Sequence, residues 1–108
     1  MDLAVAVYQL TANFPDSERF NLTSQLRRAS VGLVSNVAEG HSKLYTDAYK
    51  LHLSHARGSS AEIETQILLS RAVGLCDVQS SEHAERLNSE VGRMLTAIIK
   101  TLSAKKSA

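Results

Sequence analysis

The stretch Leu22-Thr-Ser-Gln-Leu-Arg-Arg-Ala-Ser-Val-Gly-Leu-Val-Ser-Asn-Val-Ala-Glu-Gly40 places apolar side chains at 22, 26, 29, 33 and 37. Steps of four and three return a side chain to the same side of an α-helix, so this spacing predicts a helix from about Leu22 to Glu39. Asn21 or Thr23 is placed to cap its start, and Gly40 to take the left-handed geometry just past its end. Val31 and Val34 lie off that stripe, and no charge occurs between Ala29 and Ala38. A surface helix of a lone bundle shows a polar face there. This half-helix is therefore expected to be covered twice, once by its own bundle and once by another copy of the chain.

The same spacing recurs on both sides. Tyr49, Leu53, Ala56, Ser60, Ile63 and Ile67 alternate steps of four and three, the heptad seam of nearly parallel helix packing, within a helix from about Thr46 to Val73. Thr46 is its expected N-cap and Gly74 its stop. Ala84, Leu87, Val91, Met94, Ile98 and Leu102 continue the pattern in a helix from about Ser80 to Leu102, with Ser103–Ala108 frayed. Upstream, Leu3, Val7 and Leu10 mark a first helix from Leu3 to Asn13, which Pro15 ends by disfavouring helical geometry at Phe14. Short connections make consecutive helices antiparallel neighbours. The expected fold is all-α, a single domain over 1–108: an antiparallel up-down four-helix bundle with a short first helix. Gly32, Gly58 and Gly92 lie inside helices, where each costs about 1 kcal/mol against Ala; close backbone approach or tolerated exposure would each account for them.

Composition agrees with helices. Of 108 residues, 44% are hydrophobic and 21% charged, with one Pro, five Gly and no Trp, leaving few breakers and few sheet-forming runs. The net charge of +1 does not announce a nucleic-acid binder, although an oligomer can gather a basic face from a neutral total. Cys76 is the only cysteine and can form no intrachain disulfide. The N-terminal apolar run lacks a basic lead and is broken by Tyr8, Gln9 and Thr11, so it reads as neither signal peptide nor membrane span. A cytoplasmic location is expected.

Several side chains invite a chemical reading. Arg27 and Arg28 are adjacent, about 100° apart around the helix, so at least one flanks the core. They suit phosphate contact or an ion pair between subunits, to Glu39, Glu62 or Glu64. Asn36 and Glu39 share a face; a glutamate at a helix C-terminus opposes the dipole and calls for a partner, which makes this pair a structural lock for a loop or interface. His52 and His55, with His41 earlier, could hold a metal, but no third ligand has diagnostic spacing and a solvated face is the plainer reading. Glu62 and Glu64 point apart. Gly58-Ser59-Ser60 lies inside a helix and is no nucleophile elbow. Cys76 reads as a small apolar filler near a turn. Lys50, Arg57 and Arg71 fall on one side of the third helix, with Lys43 just ahead, as a basic row or an ordinary solvated stripe. No constellation of an enzyme, metal site or cofactor site is present in the pattern.

The quoted stretch resembles a family signature, L-T-x-Q-L-R-R-A-x-x-S-I-x-x-N-I-A-E-G, of the four-helix bundle proteins first named for intervening sequences in bacterial large-subunit (23S) ribosomal RNA genes. Gly58-Ser-Ser-Ala-Glu-Ile-Glu-Thr-Gln66 resembles the family's second signature, G-S-L-x-E-L-E-T-Q, and Val7-Tyr-Gln-Leu-Thr11 with Phe14-Pro15 resembles its first helix and turn. Gly32 stands where serine is common, and Val34 where proline often occurs. Members usually carry more residues ahead of the Val-Tyr-x-Leu-Thr segment. The resemblance implies a ring-like homopentamer, and relatives among the accessory proteins of diversity-generating retroelements, which present a basic surface to nucleic acid and a reverse transcriptase. In such a ring the row Lys50, Arg57 and Arg71 would repeat, gaining avidity.

Two functions follow as expectations. One is a non-enzymatic, oligomeric scaffold that holds the backbone of RNA or DNA through Arg27, Arg28, Lys50, Arg57 and Arg71. The other is an adaptor that docks a partner enzyme without touching nucleic acid. In both, Val31, Val34, Asn36, Glu39 and Gly40 serve structure or the interface between copies.

Overall fold

A computed structural model describes residues 1–42 and 47–107, with side chains through residue 104. Among these residues there are four α-helices: α1 (Asp2–Thr11), α2 (Leu22–His41), α3 (Asp47–Ala72) and α4 (Val78–Ser107). A 3₁₀ turn over Asp16–Glu18 joins α1 to α2. Each helix packs on its neighbours in sequence, and α1 closes the ring of four by packing on α4. Cross-links give the direction of the chain. Asn36 meets His52 while Gln25 meets Gln66, and Ser60 meets Asn88 while Arg71 meets Ser81, so α3 runs antiparallel to both α2 and α4. Thr46, expected to cap α3, lies outside the described residues, as does Lys43.

The core follows the sequence stripes on three helices. Leu3, Ala6, Val7 and Leu10 of α1, Leu26, Ala29 and Leu33 of α2, and Leu53, Ala56, Ile63 and Ile67 of α3 are buried. On α4 the expected seam is rotated by about one residue. The inward stripe is Ser81, Ala84, Asn88, Leu95 and Ile99, whereas Met94 is 63% exposed and Ile98 37%. The reason is polar. Ser81 and Asn88 occupy core positions because each has a partner there: Arg71 Nε donates to Ser81 Oγ at 2.8 Å, and Asn88 exchanges bonds with Ser60.

Helix ends correct the expectations in three places. Gly40 does not terminate α2; it is buried inside the last turn, where an added Cβ would stand 3.0 Å from His52 Cβ and 3.1 Å from Tyr49 Cδ1. Its missing side chain lets α3 approach. Gly74 does terminate α3, at φ +82°. α4 begins earlier than expected, at Val78, because Asp77 Oδ1 accepts from Ser80 N–H at 2.7 Å and Ser80 Oγ accepts from Asp77 N–H at 3.2 Å, a reciprocal cap. The Ser80 backbone N–H holds the Asp77 carboxyl below its usual range. The α4 helix also continues through the segment expected to fray, to Ser107.

α1 has 10 residues against 26 in α3, about 15 Å against about 39 Å. Beyond Met1 the channel between α2 and α4 continues as an open trough of about 480 Å³. Val34, Val37 and Ala38 form one wall, Met94 and Ile98 the other, and Leu53 of α3 the floor. Of the mid-helix glycines, Gly92 supports close packing, with Ser60 Oγ 3.1 Å from where its Cβ would be. Gly58 faces open space, and Gly32 has only ordinary contact with Ser59.

Candidate nucleic-acid interface

The basic row expected on α3 is divided by the fold. Arg71 turns towards α4. Its two terminal nitrogens each donate to a carboxylate oxygen of Glu85 at 2.9 Å, and its Nε donates to Ser81. These bonds raise the pKa of Arg71 and hold the Glu85 carboxyl below its ordinary range. A guanidinium committed in this fork is not offered to a phosphate, so the placement of Arg71 in a phosphate-binding row is corrected. Lys50 is half-buried on the first turn of α3, and Arg57 is exposed.

Arg57 instead joins a row that the sequence reading missed. Arg86, Arg93 and Lys100 are seven residues apart on α4, hence on one side and about 10 Å from each other along the axis. All three are exposed, and with Arg57 they border a groove of about 730 Å³ between α3 and α4. The heptad spacing was present in the sequence, but the search for basic rows there covered only the second and third helices. The groove floor is small because Ser60, Ala61, Gly92 and Ala97 line it. It is held in place by Ser60 Oγ donating to Asn88 Oδ1 at 2.9 Å while Asn88 Nδ2 donates to the Ser60 carbonyl at 2.9 Å, both buried. Glu64 and Glu85 also border it, and Glu85 is neutralised by Arg71. Neither of the two ion pairs among the described residues involves Arg57, Arg86, Arg93 or Lys100. Arg93 donates to Ser89 Oγ at 2.9 Å, which steadies its stem along the helix. Exposed guanidinium groups above a shallow floor of small residues suit the oxygens of a polyanion backbone and read no base edge.

The α2 arginines divide as adjacent helix positions require. Arg27 is half-buried: its Nε donates to Thr11 Oγ1 at 2.9 Å, and its guanidinium carbon lies 4.7 Å from the centre of the Tyr8 ring. It fastens α2 to α1. Arg28 is exposed. Glu39 finds a histidine: its Oε2 is 3.7 Å from His52 Nε2, while His52 Nδ1 and Asn36 Oδ1 are 3.0 Å apart and Asn36 Nδ2 donates to the Gly32 carbonyl. Asn36 and Glu39 thus join α2 to α3 near their connection, the structural role read from their spacing. His52 leaves the solvated face expected for it, with a side chain 18% exposed; His55 stays exposed. Val31 is 47% exposed and Val34 half-buried at the edge of the trough. Cys76 is half-buried against the core, and burial raises its thiol pKa while a hydrogen bond with Ser81 opposes the rise. No group of three or more potential metal ligands occurs among the described residues. No described helix is long and apolar enough to cross a membrane.

Among curated proteins no match is found. The model of one family, described as 23S rRNA-intervening sequence protein, matches residues 1–97. That match spans all of α1, α2 and α3 and most of α4, including both signature stretches and the arginines at 57, 86 and 93. With four helices in the expected order and a short first one, the chain belongs to the 23S rRNA-intervening sequence protein family.

Proposed function

We propose that this protein is a non-enzymatic, cytoplasmic, homo-oligomeric scaffold that holds nucleic acid by its backbone in the α3–α4 groove. The observation that carries the reading is the row Arg86, Arg93 and Lys100 facing Arg57 across a floor of small side chains. Four cations on one chain bind weakly, and repetition of the groove in an assembly raises the apparent affinity. The family resemblance implies five copies. Phosphate contacts of this kind favour no sequence, and they accept RNA and DNA alike.

The test is a titration of mixed-sequence single-stranded RNA and DNA across rising salt. With four cations engaged, log Kobs falls against log salt with a slope of about −2.8. Replacing Arg86, Arg93 and Lys100 together with Gln flattens the slope to about −0.7, whereas Arg71→Gln leaves it unchanged. Absence of binding at low salt, or a triple variant that binds like the parent, rejects the reading.

A second reading, a docking adaptor for a partner enzyme such as a reverse transcriptase, draws support from a different place. Leu68, Leu69 and Val73 at the end of α3 and Val78 at the start of α4 are all about half exposed or more. Such a patch suits a protein surface. Capture from lysate that survives nuclease treatment and is lost in Leu69→Asp favours it.

A further inference from the structure

The α3–α4 groove has cations on both banks. Ser60 of α3 bonds Asn88 of α4 and stands 3.1 Å from where a Cβ of Gly92 would be, which fixes the antiparallel register. Three residues back from Ser60 along α3, Arg57 comes level with Arg93. Arg86 and Lys100 lie one heptad to either side of Arg93, so the row spans roughly 21 Å. Glu64 stands level with Arg86, so the grip is firmest from Arg93 to Lys100. The floor offers nothing to a base. Its small side chains leave no apolar slot, and no Phe, Tyr or Trp lines the groove. Of the aromatic rings, Tyr8 lies under Arg27, Phe14 is in the core, Phe20 lies beside Arg19 and Tyr49 lines the α2–α4 trough.

We propose that this groove selects a double helix over a single strand. The proposal rests on the nucleic-acid reading above and adds the form of the ligand. A strand that lays its phosphates between Arg57 and Arg93 turns its bases out of the groove. In a duplex those bases are already stacked and paired. A single strand gives up its own stacking to follow a straight groove, and proteins that hold single strands repay that loss with aromatic platforms. This groove has none to offer. A duplex backbone is also rigid, so less freedom is lost when it docks. Its charge is denser, about one phosphate per 1.7 Å of axis, and each phosphate neutralised releases more counterion, about 0.9 per contact against about 0.7 for a single strand. Over four cations at about 0.1 M salt, that difference of about 0.2 per contact multiplies to about sixfold relative to 1 M. The row is shorter than the roughly 34 Å of one duplex turn, so a straight helix rests on it without being bent.

The test is fluorescence anisotropy on the full chain with two labelled probes of mixed sequence. One is a stem of about 12 base pairs, roughly one helical turn, closed by a short loop so that it stays double at low salt. The other is a non-pairing single strand of the same length and composition. Each is made in DNA and in RNA. The stem binds at least about sixfold more tightly at about 0.1 M salt, and its log Kobs falls against log salt with a slope of about −3.6 against about −2.8 for the strand. Arg57→Gln combined with Arg93→Gln brings the stem slope to about −1.8, with helical circular dichroism unchanged. Unlabelled stem displaces the labelled strand, as one shared groove requires. A strand that binds as tightly as the stem overturns the preference and leaves the groove reading in place. Stem binding that keeps its slope in the double variant puts the duplex elsewhere on the molecule and overturns the proposal. No binding of either probe at low salt removes the preference and the groove reading together.

Discussion

Replacing Arg71 with Met separates a structural arginine from a binding one. The substitution keeps an apolar stem of similar reach but removes two hydrogen bonds to the Glu85 carboxylate at 2.9 Å and one to Ser81 at 2.8 Å. Hydrogen bonds to charged groups contribute about 1.5–3 kcal/mol when buried, and exposed pairs about 0–1 kcal/mol. The Arg71 side chain is 17% exposed and that of Glu85 35%, so solvent screens the acid and moves the figure towards the lower end. Ser81 keeps its bond to the Asp77 carbonyl at 2.6 Å, and no buried hydroxyl is orphaned. The expected loss is about 1–1.5 kcal/mol, which lowers Tm by about 5–10 °C in a domain of this size. Differential scanning calorimetry on Arg71→Met, Glu85→Gln and the double variant measures it, and the cycle isolates a coupling of about 1 kcal/mol. Acid supplies an internal control. The folded pKa of Glu85 is depressed, so its stabilisation is fully present above the unfolded value of about 4.3 and is lost as pH falls through the folded value. Below that point the gap between parent and variant shrinks to what the Ser81 bond contributes. A Tm change under about 1 °C at pH 7, or a gap that does not shrink in strong acid, refutes the bridge as a source of stability. Weakened nucleic-acid binding in a fully folded Arg71→Met refutes its removal from the binding surface.

Two glycines of opposite character make a paired measurement. Gly40→Ala pushes a methyl against His52 and Tyr49 and is expected to cost about 1–3 kcal/mol by urea denaturation, whereas Gly58→Ala meets nothing within 4 Å and should gain up to about 1 kcal/mol from helix propensity. Asn88→Ala strips the buried exchange with Ser60 and should lower stability by about 2–3 kcal/mol; a loss under 0.5 kcal/mol in the same assay would show that α3 and α4 do not depend on it.

How far the sequence reached depended on whether apolar spacing alone marked the inside. On α2 and α3 it did, except at Val37, which is 37% exposed at the edge of the trough. Leu26, Ala29, Leu33, Leu53, Ala56, Ile63 and Ile67 lie where the seams put them, and the order and type of all four helices followed. On α4 two overlapping stripes compete, one through Leu87, Val91, Met94 and Ile98 and one through Ala84, Leu95 and Ile99. Polar Ser81 and Asn88 complete the second, and their partners Arg71 and Ser60 belong to another helix. No local pattern ranks a paired asparagine above a valine. Gly40 misled for a related reason: a glycine near a helix end commonly takes φ above zero, and here it is needed for what the next helix brings against it.

The shortness of α1 also bears on synthesis. Ten residues are fewer than the roughly 12–15 that hold an isolated helix in water, so α1 persists only when docked on α2 and α4. It leaves the ribosome ahead of α4, whose Leu87, Val91 and Met94 border the pocket that Leu3 also lines. At about 5–20 residues per second, the greasiest segment of the chain waits several seconds or more without a complete berth. Over that interval neighbouring nascent chains on one message, or a chaperone, have first access to it.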